Sequence, residues 1–61
     1  MDEIKLTEEQ KNRIDDVKKM FSDAYNFIDD TCSRNHETQM ALDKLEEARD
    51  WAVKSIIMED K

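Results

Sequence analysis

Thr7-Glu8-Glu9-Gln10, followed by Ile14, Val17, Phe21, Ala24 and Ile28, is the stretch that decides the fold. The Thr7 hydroxyl can accept from the amide of Gln10, and the Gln10 side chain can reach back to the amide of Thr7. That reciprocal pair is a capping box, a helix start. Glu8 and Glu9 fall in the first turn, where negative charge suits the positive end of the helix dipole. The apolar positions that follow are spaced 3, 4, 3 and 4, a heptad seam. Met20, Tyr25 and Phe27 widen it on both flanks. Asp15, Asp16, Lys19, Ser22, Asp23 and Asn26 take the opposite face. The spacing predicts one helix over about 7–31.

Downstream, Asp29-Asp30-Thr31-Cys32-Ser33-Arg34-Asn35-His36 breaks the pattern with residues that favour caps and turns. A turn at about 32–35 follows, with Ser33 or Asn35 as the next cap. A second helix is expected over about 36–58. Its inward set reads Ala41, Leu45, Ala48, Ala52 and Ile56, with Leu42, Val53 and Ile57 beside them. The alanines would let another helix axis approach toward the low end of the roughly 8–10 Å range. Residues 1–6 precede the first cap, and 59–61 are expected to fray. So short a connection makes the helices antiparallel neighbours. The expected fold is all-α, a single two-helix antiparallel hairpin domain over 1–61.

Composition narrows the function classes. The chain has 61 residues, no glycine and no proline, and 43% of it is charged. Hairpin turns want residues that accept positive φ, chiefly Gly, Asn or Asp, so a compact all-β fold with neither glycine nor proline is improbable. A glycine-rich phosphate loop is ruled out. No apolar run approaches the roughly 20 residues of a membrane span, and the first residues do not lead one to expect a signal peptide. One cysteine excludes an internal disulfide framework and a CxxC motif. The simplest compartment is the cytoplasm. The net charge of -6 disfavours binding to DNA or RNA polymers and to anionic membrane surfaces, both of which need clustered cations. A small anion remains compatible if a pocket gathers a few cations.

The apolar stripes are wider than one seam. Met20, Tyr25, Phe27, Met40, Trp51, Val53 and Ile57 cannot all face the partner helix. Leaving them in water would expose a larger apolar patch than monomers usually carry. The expectation is a homo-oligomeric helical bundle, with Met20, Phe27, Met40, Trp51, Val53 and Ile57 at its interface.

No constellation reads as catalytic. Cys32 and His36 sit at the predicted hairpin tip without a pocket, so they read as a loop thiol and a helix-start imidazole, not as a nucleophile pair. Asp15-Asp16 and Asp29-Asp30 are sequence neighbours that point about 100° apart on a helix and do not share a proton. Asp43, Glu46, Glu47 and Asp50 share a helix face but lack the Glu-x-x-His of a di-iron bundle. With Lys44 and Arg49 nearby they read as a salt-bridged surface. No enzyme activity, metal or cofactor is expected. Among the cations, Lys18 flanks the seam one heptad before Tyr25 and reads first as a methylene cover for apolar surface. Arg49 falls inside the apolar stripe and needs a partner, either Glu46 or a carboxylate of another subunit. Tyr25 and Trp51 read first as core or interface aromatics.

One segment carries a resemblance. Leu42-Asp43-Lys44-Leu45-Glu46-Glu47-Ala48-Arg49-Asp50-Trp51-Ala52 resembles the second-helix signature L-x-K-L-E-E-A-x-x-W-A of a family of small phage proteins. Leu6-Thr7-Glu8-Glu9-Gln10 and Arg13-Ile14-Asp15-Asp16-Val17-Lys18 are similar to that family's opening. The family includes the phage anti-CBASS sponges, which sequester cyclic oligonucleotide signals. Functionally similar anti-Thoeris sponges sequester a cyclised ADP-ribose. The resemblance implies a non-enzymatic binding protein acting in the host cytoplasm. It also implies a homo-oligomer of helical hairpins, often a hexamer, with pockets between subunits. Lys18 matches a family lysine implicated in ligand contact, and Arg34 and Arg49 are weaker carry-overs. Tyr25 is the aromatic candidate for packing on a base. There is one departure. Family members often carry a base-stacking aromatic a few positions before the Leu-Thr pair, where this chain has Asp2-Glu3-Ile4-Lys5. A cyclic dinucleotide, a cyclic trinucleotide and a cyclised ADP-ribose all stay open as ligands. A second class of function stays open too, a small oligomeric module that docks a protein on Met20, Phe27, Met40 and Trp51.

Overall fold

The computed structural model describes residues 5–59, so Asp2, Glu3 and Ile4 of the departure noted above lie outside the described residues. Two helices, α1 (Glu8–Thr31) and α2 (His36–Ile57), make up the fold, and there is no strand among the described residues. They pack against each other as a helical hairpin. The molecule is a rod of 44 × 20 × 17 Å.

The capping box forms as read. The amide of Gln10 donates to Thr7 Oγ1 at 3.0 Å, and the amide of Thr7 donates to Gln10 Oε1 at 2.9 Å. At the other end of α1, the Cys32 amide closes the last turn on the Ile28 carbonyl at 2.9 Å. The turn at 32–35 then runs in extended backbone at Cys32 and Asn35. No described residue has positive φ. That is how a chain without glycine reverses direction. Asn35 starts α2, its Oδ1 accepting from the Thr38 amide at 2.9 Å, and the Thr38 hydroxyl donates to the Ser33 carbonyl at 2.6 Å. Replacing Asn35 with alanine is expected to cost about 1 kcal/mol, read as a lower denaturation midpoint with an unchanged slope.

The seam of α1 is the expected one. Ile14 is buried, and Val17, Phe21, Ala24 and Ile28 are half-buried. The seam of α2 is not. Ala41 and Ala48, expected to face inward, are exposed. The inward line runs instead through Thr38, Leu42, Leu45, Arg49, Ala52 and Ile56. The physical reason is size. Each methylene taken from water stabilises by about 0.8 kcal/mol, so turning Leu42 inward outweighs turning Ala41 inward. Ala52 alone of the three alanines is left to ease the approach of α1.

A polar residue holds the open end. Gln10 is 5% exposed, the same as Leu42. Its Nε2 donates across the hairpin to the Ile56 carbonyl at 3.1 Å, 46 residues away in sequence. Beside it, Arg13 grips Glu59 with both terminal nitrogens, at 3.0 and 2.6 Å. That hydrogen-bonded carboxylate, with its charge, holds the Arg13 pKa above its usual value. Both groups are largely in water, so this pair orients the terminus more than it stabilises.

The core itself is thin. Ile14, Leu42 and Ile56 are its buried apolar residues, and no large side chain is fully enclosed among the described residues. The accessible surface is 5275 Å². A folded monomer of 7.3 kDa usually exposes about 4,200 Å². The hairpin therefore carries roughly 1,100 Å² more surface than its mass calls for. Met20, Phe27, Trp51 and Met58 are each more than three-fifths exposed, and Met40 is 42% exposed. No helix among the described residues is long and apolar enough to cross a membrane.

Candidate functional site

The antiparallel pairing decides which side chains share an edge. On α1, Lys18 and Tyr25 are one heptad apart and fall on the same flank of the seam. On α2, Glu46 and Val53 repeat with the same spacing and meet that flank. Between them runs a cleft with two chambers. The smaller, about 210 Å³, is lined by Phe21, Ser22, Tyr25, Leu45, Glu46 and Arg49. The wider one, about 530 Å³, is lined by Lys18, Arg49, Asp50, Val53, Lys54 and Ile57. Arg49 belongs to both and forms the threshold between them.

The chemistry of the two chambers differs. Phe21, Tyr25 and Leu45 give the smaller one apolar and aromatic walls, suited to a flat ring. The wider chamber brings Lys18, Arg49 and Lys54 together, three cations on a chain of net charge -6. Arg49 occupies a seam position and is half-buried. Its Nε and Nη2 both reach Asp50 Oδ1, at 3.3 and 3.2 Å. Charge-assisted hydrogen bonds are usually about 2.7–2.9 Å, so this contact is long, and Asp50 is well exposed. A better acceptor can take the guanidinium from it. The partner expected for Arg49 was Glu46 or another subunit's carboxylate, but within the chain it is Asp50. Adjacent residues on a helix rarely pair, which hid this contact from periodicity. Lys54 lies over the Trp51 ring, 5.3 Å from its centroid, a cation–π contact that holds its ammonium at the cleft rim.

The structure thus brings Lys18, Tyr25 and Arg49 to one edge. Arg34 stands apart, exposed in the turn and lining neither chamber. Of the residues read as an interface, Met20, Phe27, Met40 and Trp51 are exposed. Val53 and Ile57 are half-buried and line the wider chamber. Met20 and Phe27 each follow Lys18 and Tyr25 by two positions, about 200° around α1. The greasy side chains of α1 and the cleft therefore look in opposite directions. Phe21, Ser22, Glu46, Asp50 and Lys54 complete the cleft and were not singled out as site residues. Lys54 could have been found by its heptad relation to Glu47 and its place one turn beyond Asp50.

Cys32 is an exposed free thiol. Among the described residues, no group of three or more His, Cys, Asp or Glu side chains could hold a metal ion. Comparison of the chain with protein-family models, with curated proteins and with solved structures returns no match.

Proposed function

We propose that this protein is a non-enzymatic sponge. It binds a cyclic oligonucleotide signal, or a related cyclised ADP-ribose, and withholds it from a host defence effector, as the resemblance to phage anti-CBASS and anti-Thoeris sponges implies. The observation that carries the reading is the cleft itself. Three cations, Lys18, Arg49 and Lys54, adjoin an aromatic chamber walled by Phe21 and Tyr25. Phosphate needs the first set, and a base needs the second. The ligand is held and released unchanged in the host cytoplasm, and neither a DNA or RNA polymer nor a membrane surface is a target.

The working form is a homo-oligomer, with a hexamer as the state the resemblance suggests. The surface excess and the exposed Met20, Phe27, Met40, Trp51 and Met58 support assembly. A second reading shares that support. The same exposed side chains suit a module that docks a protein partner. Replacing both Met20 and Phe27 with aspartate is expected to dissociate the oligomer. Sedimentation would show a multimer for the native chain and a species near 7.3 kDa for the variant. A native chain that sediments as a monomer favours the docking module.

Titration calorimetry against cyclic dinucleotides, cyclic trinucleotides and a cyclised ADP-ribose tests the ligand. Heat with one of these and recovery of unaltered nucleotide after denaturation is the expected result. No heat with any of them, with the oligomer intact, ends the sponge reading. Recovery of a cleaved nucleotide makes the protein a hydrolase.

A further inference from the structure

We propose that the smaller chamber is a guanine site in which the Glu46 carboxylate reads the base. This rests on the sponge reading above and names the part of the ligand that the chamber selects. The starting point is an acid where an acid does harm. An anionic ligand entering the cleft is repelled by Glu46, yet Glu46 stands on the chamber wall beside Arg49. The other cleft acid, Asp50, holds Arg49. Glu46 makes no hydrogen bond or ion pair among the described residues. An ionised carboxylate is an acceptor only, with two oxygens side by side. Glu46 is exposed, so water serves its oxygens until an occupant displaces that water and brings two adjacent donors in its place.

Guanine offers that pair. Its N1–H and its 2-amino group lie next to each other on the Watson–Crick edge and match the two oxygens of a carboxylate. Adenine places a ring acceptor beside its amine, and so does cytosine. Uracil flanks its one N–H with carbonyls. Each of these sets an acceptor against Glu46, which costs binding because the water it displaces from the carboxylate is not replaced by a donor. Ser22 and Tyr25, the wall residues with neutral polar groups, both donate and accept through their hydroxyls and so do not discriminate. The size agrees. About 210 Å³ is below the roughly 300–1,000 Å³ of sites for drug-sized ligands and suits a single base. Tyr25 and Phe21 supply aromatic walls against which the ring packs. Arg49, three residues after Glu46 and one turn along α2, stands where the chamber opens toward Lys18 and Lys54. Base and phosphate are then read by one turn of helix.

Calorimetric titration of the intact protein with cyclic di-GMP, cyclic GMP–AMP and cyclic di-AMP tests the assignment. Cyclic di-GMP is expected to bind at least roughly tenfold tighter than cyclic di-AMP, because a charged acceptor is paired in one and opposed in the other. Glu46→Gln keeps the shape of the side chain and offers one donor beside one acceptor, the pattern that suits adenine. The variant is expected to lose that preference or reverse it, with its helix content unchanged by circular dichroism. Equal affinity of the native protein for the two ligands overturns the guanine assignment and leaves the sponge reading standing. So does a Glu46→Gln variant that keeps the native preference. No binding of any of the three, with cyclic trinucleotides or a cyclised ADP-ribose binding instead, also overturns the assignment alone. Silence from every nucleotide overturns both.

Discussion

Replacing Gln10 with leucine is expected to lower stability by about 2 kcal/mol, a large part of what a scaffold this small possesses. One side chain does two jobs here. Its carbonyl accepts from Thr7 and completes the cap of α1, and its amide donates to Ile56 at the end of α2. The Ile56 carbonyl also accepts from the Glu59 amide at 3.3 Å, so the Gln10 side chain is not its sole donor. Leucine keeps the bulk and loses both bonds. Glutamate separates them. Gln10→Glu retains the capping acceptor but turns a buried donor into a charge facing a carbonyl. Burial raises the pKa of such a carboxyl above its unfolded value of about 4.3. The variant's deficit is then small below that pH, where a protonated carboxyl can still donate. It grows as pH rises through the folded-state pKa. Urea unfolding of both proteins from pH 4 to pH 8 measures this difference. A Gln10→Glu protein as stable as the native one at pH 7 would show that the cross-hairpin bond contributes nothing.

Replacing Arg49 with methionine is expected to weaken ligand binding by roughly ten- to a hundredfold, the worth of one charge-assisted contact. The fold is expected to hold. A half-buried arginine paired with an exposed aspartate at 3.2 Å gains little from the pair. An apolar side chain of similar volume at such a seam position is often neutral or stabilising. Calorimetric titration and thermal unfolding of the same sample give both answers. An Arg49→Met protein that binds as tightly as the native one removes Arg49 from the site. One that unfolds on purification would mean that the guanidinium is there for packing.

The fold was legible because its signals are local. The capping box at Thr7 and Gln10, the 3-4 spacing from Ile14 to Ile28 and the polar stretch around Asn35 each act within a few residues. The rotation of α2 was not legible in the same way. Ala41, Leu45, Ala48, Ala52 and Ile56 make one line on α2, and Leu42, Leu45, Arg49, Ala52 and Ile56 make another that shares three of its members. Periodicity finds both, and the reading from spacing puts the first inward where the structure puts the second. What ranks them is the area each line buries against α1, a quantity that belongs to the pair of helices. The cleft was half legible for the same reason. Lys18, Tyr25 and Arg49 stand out one by one. That Phe21 and Glu46 meet them across the hairpin follows from the register, which the Gln10–Ile56 bond makes visible. The resemblance pointed to Lys18 on α1 and, more weakly, to Arg34 and Arg49, but not to Phe21.

Trp51, the one tryptophan of the chain, is 62% exposed and lies under the Lys54 ammonium. This gives the protein an optical label of its own. An indole in water emits at longer wavelength than one shielded from it, so burial of Trp51 in the proposed assembly is expected to shift its emission to the blue. A nearby ammonium quenches indole emission, so a phosphate that draws Lys54 into the cleft brightens it. One native fluorophore is thus expected to test both proposals, assembly by its colour and ligand binding by its intensity.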